Sequence, residues 1–174
     1  MFKSSTVLIA VLLSLLAGSI YCSLSITCQK DEEQVYVKIG HKHYFIWHTK
    51  VTWLEAVHLC RRFGGDLVLI ESAEELESIS NYLIKHGYDH TAWLWTSGND
   101  LVSHRQFKSI NNGMPLPYTS WSSGQPDNAG GNEHCVHLWF NNRKSFQMND
   151  WICHEKAQAI CQNQNHTRCY ESYH

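Results

Sequence analysis

The cysteines constrain the fold of this chain more than any other feature of its sequence. The chain has seven cysteines, and six of them fall between positions 28 and 169: Cys28, Cys60, Cys135, Cys153, Cys161 and Cys169. An even set of this kind is typical of domains that fold in an oxidising compartment, where cysteines are paired in disulfides. The sequence therefore predicts three disulfides, and the spacing alone leaves their pairing open.

The N-terminus has the layout of a secretory signal. An apolar run at residues 7–16 is followed by the small residues Ala17 and Ser19. We predict a signal peptide over residues 1–22, cleaved after Ser19 or after Cys22, and a secreted, extracellular protein. The apolar run is shorter than the ~20 residues that span a bilayer, so no membrane insertion is expected. An uncleaved signal anchor is the alternative.

The rest of the chain is long enough for one hydrophobic core. The 174 residues are 43% hydrophobic, and the formal net charge is -2 without any block of lysine and arginine. We predict one domain over residues 36–163, preceded by a short segment at 23–35 and followed by a tail at 164–174 with a glycosylation site at Asn165. This charge excludes the basic surface that nucleic acids require, so no nucleic-acid partner is expected.

Two capping boxes mark amphipathic helices. In the first, Thr-Trp-Leu-Glu at residues 52–55 precedes apolar residues at helical spacing, which stop at Gly64 and Gly65. In the second, Ser-Ala-Glu-Glu at residues 72–75 opens a similar pattern that ends at Gly87. The sequence thus predicts two helices.

Strand signals lie before, between and after these helices. Alternating or short apolar runs occur at residues 34–47, which form two strands around a glycine turn, and at 67–70, 135–140, near 146 and 157–161. Residues 96–132 are rich in Gly, Ser, Asn and Pro, and a long irregular segment in a compact domain is usually functional. This order predicts an α+β fold with two helices segregated from antiparallel sheets, and with a long binding loop.

Side-chain oxygens are concentrated in two short clusters near the C-terminal half of the long loop. The residues that offer them are Gln125, Asp127, Glu133, Asn149 and Asp150. Calcium takes about six to eight oxygen ligands, and carboxylate and amide oxygens are among those it binds. A cysteine-bounded loop can bring the two clusters together. The sequence therefore predicts one Ca²⁺ site.

Three segments resemble the C-type lectin family. They are Trp-Leu-Glu-Ala at 53–56 leading to Cys60, Trp-Ser-Ser-Gly-Gln-Pro-Asp at 121–127 leading to Glu133 and Cys135, and Asn-Asp-Trp at 149–151 leading to Cys153 and Cys161. The resemblance covers about residues 36–162, and the segments at 95–101 and 125–131 are similar to insect secreted galactose-specific members.

The resemblance implies calcium-dependent carbohydrate binding on a C-type lectin fold, with the same five oxygen-bearing residues contacting both Ca²⁺ and sugar. In this family the Gln-Pro-Asp order at residues 125–127 goes with galactose-like hydroxyl pairs. The implied partners are glycans with terminal galactose or N-acetylgalactosamine on cells or glycoproteins, with a role in innate immune recognition as one possibility. Pro126 is expected to follow a cis peptide bond, which turns both flanking side chains toward one metal ion.

The resemblance also implies how the cysteines pair. It joins the first helix to the last strand and closes the ligand-bearing loop, through Cys60–Cys161 and Cys135–Cys153 respectively. Cys28 and Cys169 are left over. They would join the two tails if the termini lie close together, and interchain pairing is the alternative.

Some positions depart from the family pattern. Those that match the family's second calcium site are Gly98, Asn128 and His134, which lack the acidic oxygens, so a single calcium is predicted. Residues 128–132 contain no aromatic side chain to stack on a sugar. The alternatives for a stacking aromatic are Trp139, Phe140 and Phe146, but the expected role of these three is strand or core packing.

Two other functions are alternatives to sugar binding. The first is a calcium-independent, protein-binding C-type-lectin-like domain, which would have lost its oxygen ligands. The second is an enzyme, which is not expected: His154-Glu155 lacks the second histidine of a zinc-protease helix, and the twelve histidines are expected to be surface or half-buried residues. With no collagen-like or heptad segment, a monomer or weak oligomer is predicted.

Overall fold

The structure, a computed structural model, describes part of the chain as two units. The described residues are 25–28, 36–140, 145–164 and 169–172. One unit consists of the two terminal parts of the chain, and the other of Glu32–Asn165. The predicted signal peptide, Cys22 and the sequon at Asn165 lie outside the described residues, so these remain predictions, as do the domain boundaries.

The larger unit is built on an eight-stranded sheet. In chain order the strands of the protein are β1 (Ser25–Cys28), β2 (Val37–Ile39), β3 (Lys42–Val51), β4 (Gly65–Leu67), β5 (Trp93–Asn99), β6 (Lys108–Ser109), β7 (Glu133–Phe140), β8 (Phe146–Ile152), β9 (Ala157–Asn163) and β10 (Cys169–Ser172). The sheet has the order β2-β3-β9-β5-β7-β8, with β4 paired to β9 and β6 paired to β5. All pairs are antiparallel except β5–β9, which is parallel.

Both predicted helices are present and begin at the predicted caps. Helix α1 (Trp53–Arg62) has a complete capping box, in which Thr52 and Glu55 exchange hydrogen bonds. Helix α2 (Ala73–Lys85) starts at Ser72, whose side chain accepts from the backbone of Glu75. The Glu75 carboxylate itself accepts from the Glu71 backbone N–H at 2.8 Å, so the second box lacks its return bond to the cap residue.

One predicted strand begins earlier than its apolar residues. The pattern predicts a strand over residues 67–70, whereas β4 begins at Gly65. A Cβ atom at Gly65 would overlap the carbonyl oxygen of Gln162 and the hydroxyl of Tyr36, so only glycine lets this strand approach β9. The residues after β4 continue as extended, buried chain, and Val68 donates to the Ile160 carbonyl at 2.8 Å.

Two apolar clusters fill the larger unit. The first combines α2 side chains such as Leu76 and Leu83 with sheet residues, and the second contains Trp53 of α1 with Trp95 and Ala159. Each of these side chains is at most 6% exposed. None of the helices in the described part of the chain is long and apolar enough to cross a membrane.

The cysteine pairing agrees with the prediction where it is described. The Cys60–Cys161 disulfide ties α1 to β9, and the Cys135–Cys153 disulfide ties β7 to the turn that follows β8. In the terminal unit, β1 and β10 are antiparallel neighbours, and Cys28 lies opposite Cys169 in their register. A Cys28–Cys169 disulfide remains a prediction.

Candidate functional site

An acidic cluster forms where the long loop meets strands β7 and β8. Asp127, Glu133 and Asp150 each offer a carboxylate oxygen, and these oxygens lie within 4.8 Å of one another. Asp150 is completely buried and Glu133 is 8% exposed, whereas Asp127 is exposed to solvent. Three of the five predicted ligands are therefore brought together.

The loop that carries Asp127 is fastened to Asp150 by its backbone. The Asp127 N–H donates to Asp150 Oδ1 and the Asn128 N–H donates to Asp150 Oδ2, both at 3.0 Å. The side chain of Gln125 also turns inward, and its Oε1 accepts from the Asp127 N–H at 3.1 Å. The Gln125–Pro126 peptide bond is cis, as predicted.

The segment between Asp127 and Glu133 is a tight turn that fixes the Glu133 side chain. Asn128 has a left-handed backbone with φ of 51°, and its Oδ1 accepts from the Glu133 N–H at 3.0 Å. The Ala129 N–H donates to Glu133 Oε2 at 3.0 Å and to Asp127 Oδ1 at 3.2 Å. The Asn128 side chain, at one of the positions of the family's second calcium site, is thus used to hold this turn.

Asn149 presents an unsatisfied oxygen. Its Nδ2 donates to the Asp150 backbone carbonyl at 2.7 Å, and because a carbonyl can only accept, this bond fixes the orientation of the amide. The same Nδ2 lies 2.9 Å from His137 Nε2. Its Oδ1 is buried and has no hydrogen-bond partner. A buried acceptor left in this state is costly unless a donor or a cation satisfies it.

His137 contacts the Asn149 amide, and its burial contradicts one expectation from the sequence. The side chain is 1% exposed and is surrounded by the rings of Trp93, Trp95 and Trp151. Burial lowers the pKa of His137 to about 3, so the ring is neutral and accepts the Asn149 bond through an unprotonated Nε2. The expectation of surface or half-buried histidines is wrong here, because consecutive residues 136–138 of β7 are all buried, so both faces of the strand are covered.

The carboxylates of Glu133 and Asp127 have no cationic partner among the hydrogen bonds of the turn. Desolvation by burial raises the pKa of Glu133 above its ordinary value, and the neighbouring charges of Asp150 and Asp127 act in the same direction. A cation among the three carboxylates would remove the repulsion, and Asn149, the residue before Asp150, offers a further unpartnered oxygen. Because every donor in the set is an oxygen, the residues present fit a calcium ion.

Arg105 borders the cluster and was not identified from the sequence. Its Nη1 donates to Asp150 Oδ2 at 2.8 Å, and its Nη2 donates to the Pro126 carbonyl. Its backbone N–H donates to Asp100 Oδ2 at 2.7 Å, and Asp100 Oδ1 in turn accepts from His134 Nδ1 at 2.8 Å. Because the contact between Arg105 and Asp150 spans 45 positions, no local sequence pattern could have predicted it.

Two of the three aromatic residues considered for sugar stacking, Phe140 and Phe146, have the expected packing role. Phe146 is 1% exposed, and Phe140 packs against it with ring centroids 5.4 Å apart. Trp139 is half-buried, and its Nε1 donates to Ser122 Oγ at 2.6 Å.

Known proteins resemble this chain over most of its described length. The family model of the lectin C-type domain matches residues 49–163. C-type lectin 37Db of Drosophila melanogaster is 42% identical over 127 residues, which cover 72% of this chain and 80% of the relative. The mouse scavenger receptor C-type lectin carbohydrate-recognition domain has a TM-score of 0.64 at 27% identity, and covers 75% of this chain and 96% of its own.

A further solved structure is that of the C-type lectin domain of murine dendritic cell inhibitory receptor 2 in complex with an N-glycan. Its TM-score is 0.61 at 25% identity, with 80% of this chain and 100% of that domain covered.

Proposed function

The chain belongs to the C-type lectin family, whose domains bind carbohydrates and are not enzymes, and we propose that it binds glycans through a single calcium ion. The proposed ligands of the ion are the five side chains predicted from the sequence, Gln125, Asp127, Glu133, Asn149 and Asp150. The observation that carries this proposal is the convergence of three carboxylates, from Asp127, Glu133 and Asp150, within 4.8 Å of one another. The buried, unpartnered Oδ1 of Asn149, the residue before Asp150, supports it. C-type lectin domains generally bind Ca²⁺.

The ion would supply positive charge and open coordination positions for two neighbouring sugar hydroxyls. The protein supplies the hydrogen bonds that distinguish one hydroxyl pair from another. Gln125 can coordinate through its carbonyl and donate through its amide, while ionised Asp127 can only accept. Donor and acceptor positions around the sugar are thus set by the order of these two residues.

We propose that the preferred ligands are galactose and N-acetylgalactosamine, because the chain has the Gln-Pro-Asp order at residues 125–127. The N-terminal leader and the disulfides support a secreted protein that meets such sugars on cells or glycoproteins, with innate immune recognition as one setting. Without a stacking aromatic at residues 128–132 the site has few contacts, so a single sugar should bind near the millimolar range, about -4 kcal/mol.

The first experiment measures retention on immobilised galactose with and without a chelator. We expect binding in calcium and elution by the chelator or by free galactose. Retention that persists in the chelator would instead favour the calcium-independent protein-binding function. Failure to bind any sugar on a glycan array in calcium would refute carbohydrate binding at this site.

The second experiment exchanges the two residues that encode hydroxyl geometry. The double variant Gln125→Glu with Asp127→Asn keeps the net charge and the number of oxygens, and should shift preference toward mannose. The matched control makes the same exchange elsewhere, as Gln158→Glu with Asp89→Asn, and should leave sugar preference unchanged. An unchanged galactose preference in the first variant would contradict the role assigned to these side chains.

A further inference from the structure

Arg105 lies beside the proposed ion-binding residues without being one of them. We propose that Arg105 is a positioning residue, a built-in cation that keeps the calcium site assembled before calcium binds. The expected effect on calcium affinity rests on the proposed function, whereas the expected effect on the order of residues 125–128 concerns the metal-free protein. The proposal follows from the contacts of the Arg105 side chain with two separate segments and of its backbone N–H with a third.

The guanidinium joins strand β8 to the sugar-binding loop. One nitrogen donates to Asp150 of β8 and the other to the carbonyl of Pro126, the residue between the two side chains that encode hydroxyl geometry. The Asp150 side chain is completely buried and that of Arg105 is 34% exposed. Solvent partly screens the charge of this partly exposed arginine, but two directed bonds fix its geometry.

The backbone of Arg105 is held in a conformation that non-glycine residues rarely adopt. Its φ is 62°, in the left-handed region, where an L-residue is strained. That conformation directs the Arg105 N–H to Asp100, which is also bound by His134 at the start of β7. The Phe107 ring lies 5.7 Å from the guanidinium carbon and supports it from the same loop. The surrounding structure therefore holds both the backbone and the guanidinium of Arg105 in place.

These contacts have two opposite effects on calcium binding. A positive charge next to Asp150 makes the site less attractive to a second cation. On the other hand, the guanidinium orders the segment of residues 125–128, and any disorder there would have to be removed when calcium binds. We expect the second effect to be larger, because Arg105 is partly exposed to solvent, which screens its charge, whereas loop ordering involves several residues.

The test compares Arg105→Ala and Arg105→Lys with Lys42→Ala. Lys42 is a matched control: its side chain is 35% exposed and pairs with the mostly buried Glu75 at 2.9 Å, away from the cluster. The first readout is amide hydrogen exchange of Asp127 and Asn128 in a chelator, since both N–H groups donate to Asp150. The second is the calcium Kd from titration calorimetry.

In Arg105→Ala we expect faster exchange of these two amides in the metal-free protein and a calcium Kd raised about tenfold. Arg105→Lys keeps the charge but loses one of the two directed bonds, so it should fall between Ala and wild type. The control should lose stability without a change in either readout. Unchanged exchange, or calcium binding as tight as wild type or tighter in Arg105→Ala, would overturn the proposal.

The outcomes separate this inference from the proposed function. If the wild-type protein does not bind calcium, the calcium proposal fails, and the positioning role is judged by the exchange of the two amides alone. If wild type binds calcium and the Arg105 variants match it in both readouts, only the positioning role fails. Should Arg105→Ala not fold, Arg105→Lys alone decides, and wild-type behaviour of that variant would count against the proposal.

Discussion

Glu133→Gln should stabilise the metal-free protein and reduce the stabilisation that calcium provides. The Glu133 carboxylate lies within 4.8 Å of oxygens from both Asp127 and Asp150. Two like charges at that separation repel by about 1 kcal/mol in water, and by about 3 kcal/mol at an effective dielectric constant of 20. We take the lower figure for each pair, because Asp127 is exposed and the guanidinium of Arg105 offsets the charge of Asp150. The metal-free variant should then gain about 2 kcal/mol, or roughly 5 °C in Tm.

The same change removes one of three carboxylates from the ion. Calcium affinity depends on the number of charged ligands, so the Kd should rise by about tenfold to a hundredfold. Each tenfold rise takes about 1.4 kcal/mol from the stabilisation that saturating calcium provides. The amide can still accept the Ala129 N–H bond, so the turn itself is retained.

The assay is thermal unfolding near neutral pH in a chelator and in a calcium series. We expect the variant to melt above wild type in the chelator and to gain less from calcium. Glu74→Gln is the control, because its side chain is 81% exposed and lies outside the cluster, and it should behave as wild type. A variant that is less stable than wild type in the chelator, or that gains as much from calcium, would refute the electrostatic reasoning.

Two further predictions concern the scaffold. Replacing Cys135 and Cys153, which are 18 residues apart, by alanine should lower the free energy of unfolding by about 3 kcal/mol and weaken calcium binding. Replacing Cys60 and Cys161, which are 101 residues apart, should lower it by about 5 kcal/mol and leave the calcium Kd of the folded fraction unchanged. Burial and a hydrogen bond to Glu75 raise the pKa of Tyr44, so this tyrosine ionises in the unfolded chain before it ionises in the folded one. The free energy of unfolding should therefore fall by about 1.4 kcal/mol per pH unit above pH ~10. Denaturant titrations of Tyr44→Phe should lack this loss.

The helices and most strands could be predicted because their signals are local. A cap residue, its partner three positions on and a stopping glycine lie within one short window, as at Thr52 and Glu55. The start of β4 could not be predicted in this way. In the sequence, Gly65 indicates the end of a helix. In the structure it is also the point where two strands approach too closely for a side chain.

The three carboxylates that the structure brings together could be identified because their spacing is itself a motif, and the cis bond before Pro126 is confirmed. The complete ligand set remains a prediction. The residues that support the proposed ligands could not be identified in this way. Arg105 and His137 reach the ligands across 45 and 12 positions respectively, and each stands in a segment whose local pattern indicates only a loop or a strand. Supporting contacts of this kind depend on which strands become neighbours, and the sequence pattern does not encode that directly.

The cluster divides into a half that the protein stabilises by itself and a half that depends on a cation. Asp150 is buried, yet two backbone N–H groups and a guanidinium balance its charge, so strand β8 can present it without metal. Glu133 and Asp127 have no such cationic partner among the hydrogen bonds of the turn, which come from neutral N–H groups. Loss of calcium should therefore act on the carboxylates of the turn and leave the disulfide-tied core folded. On this division, we expect a chelator to abolish sugar binding while the protein remains folded.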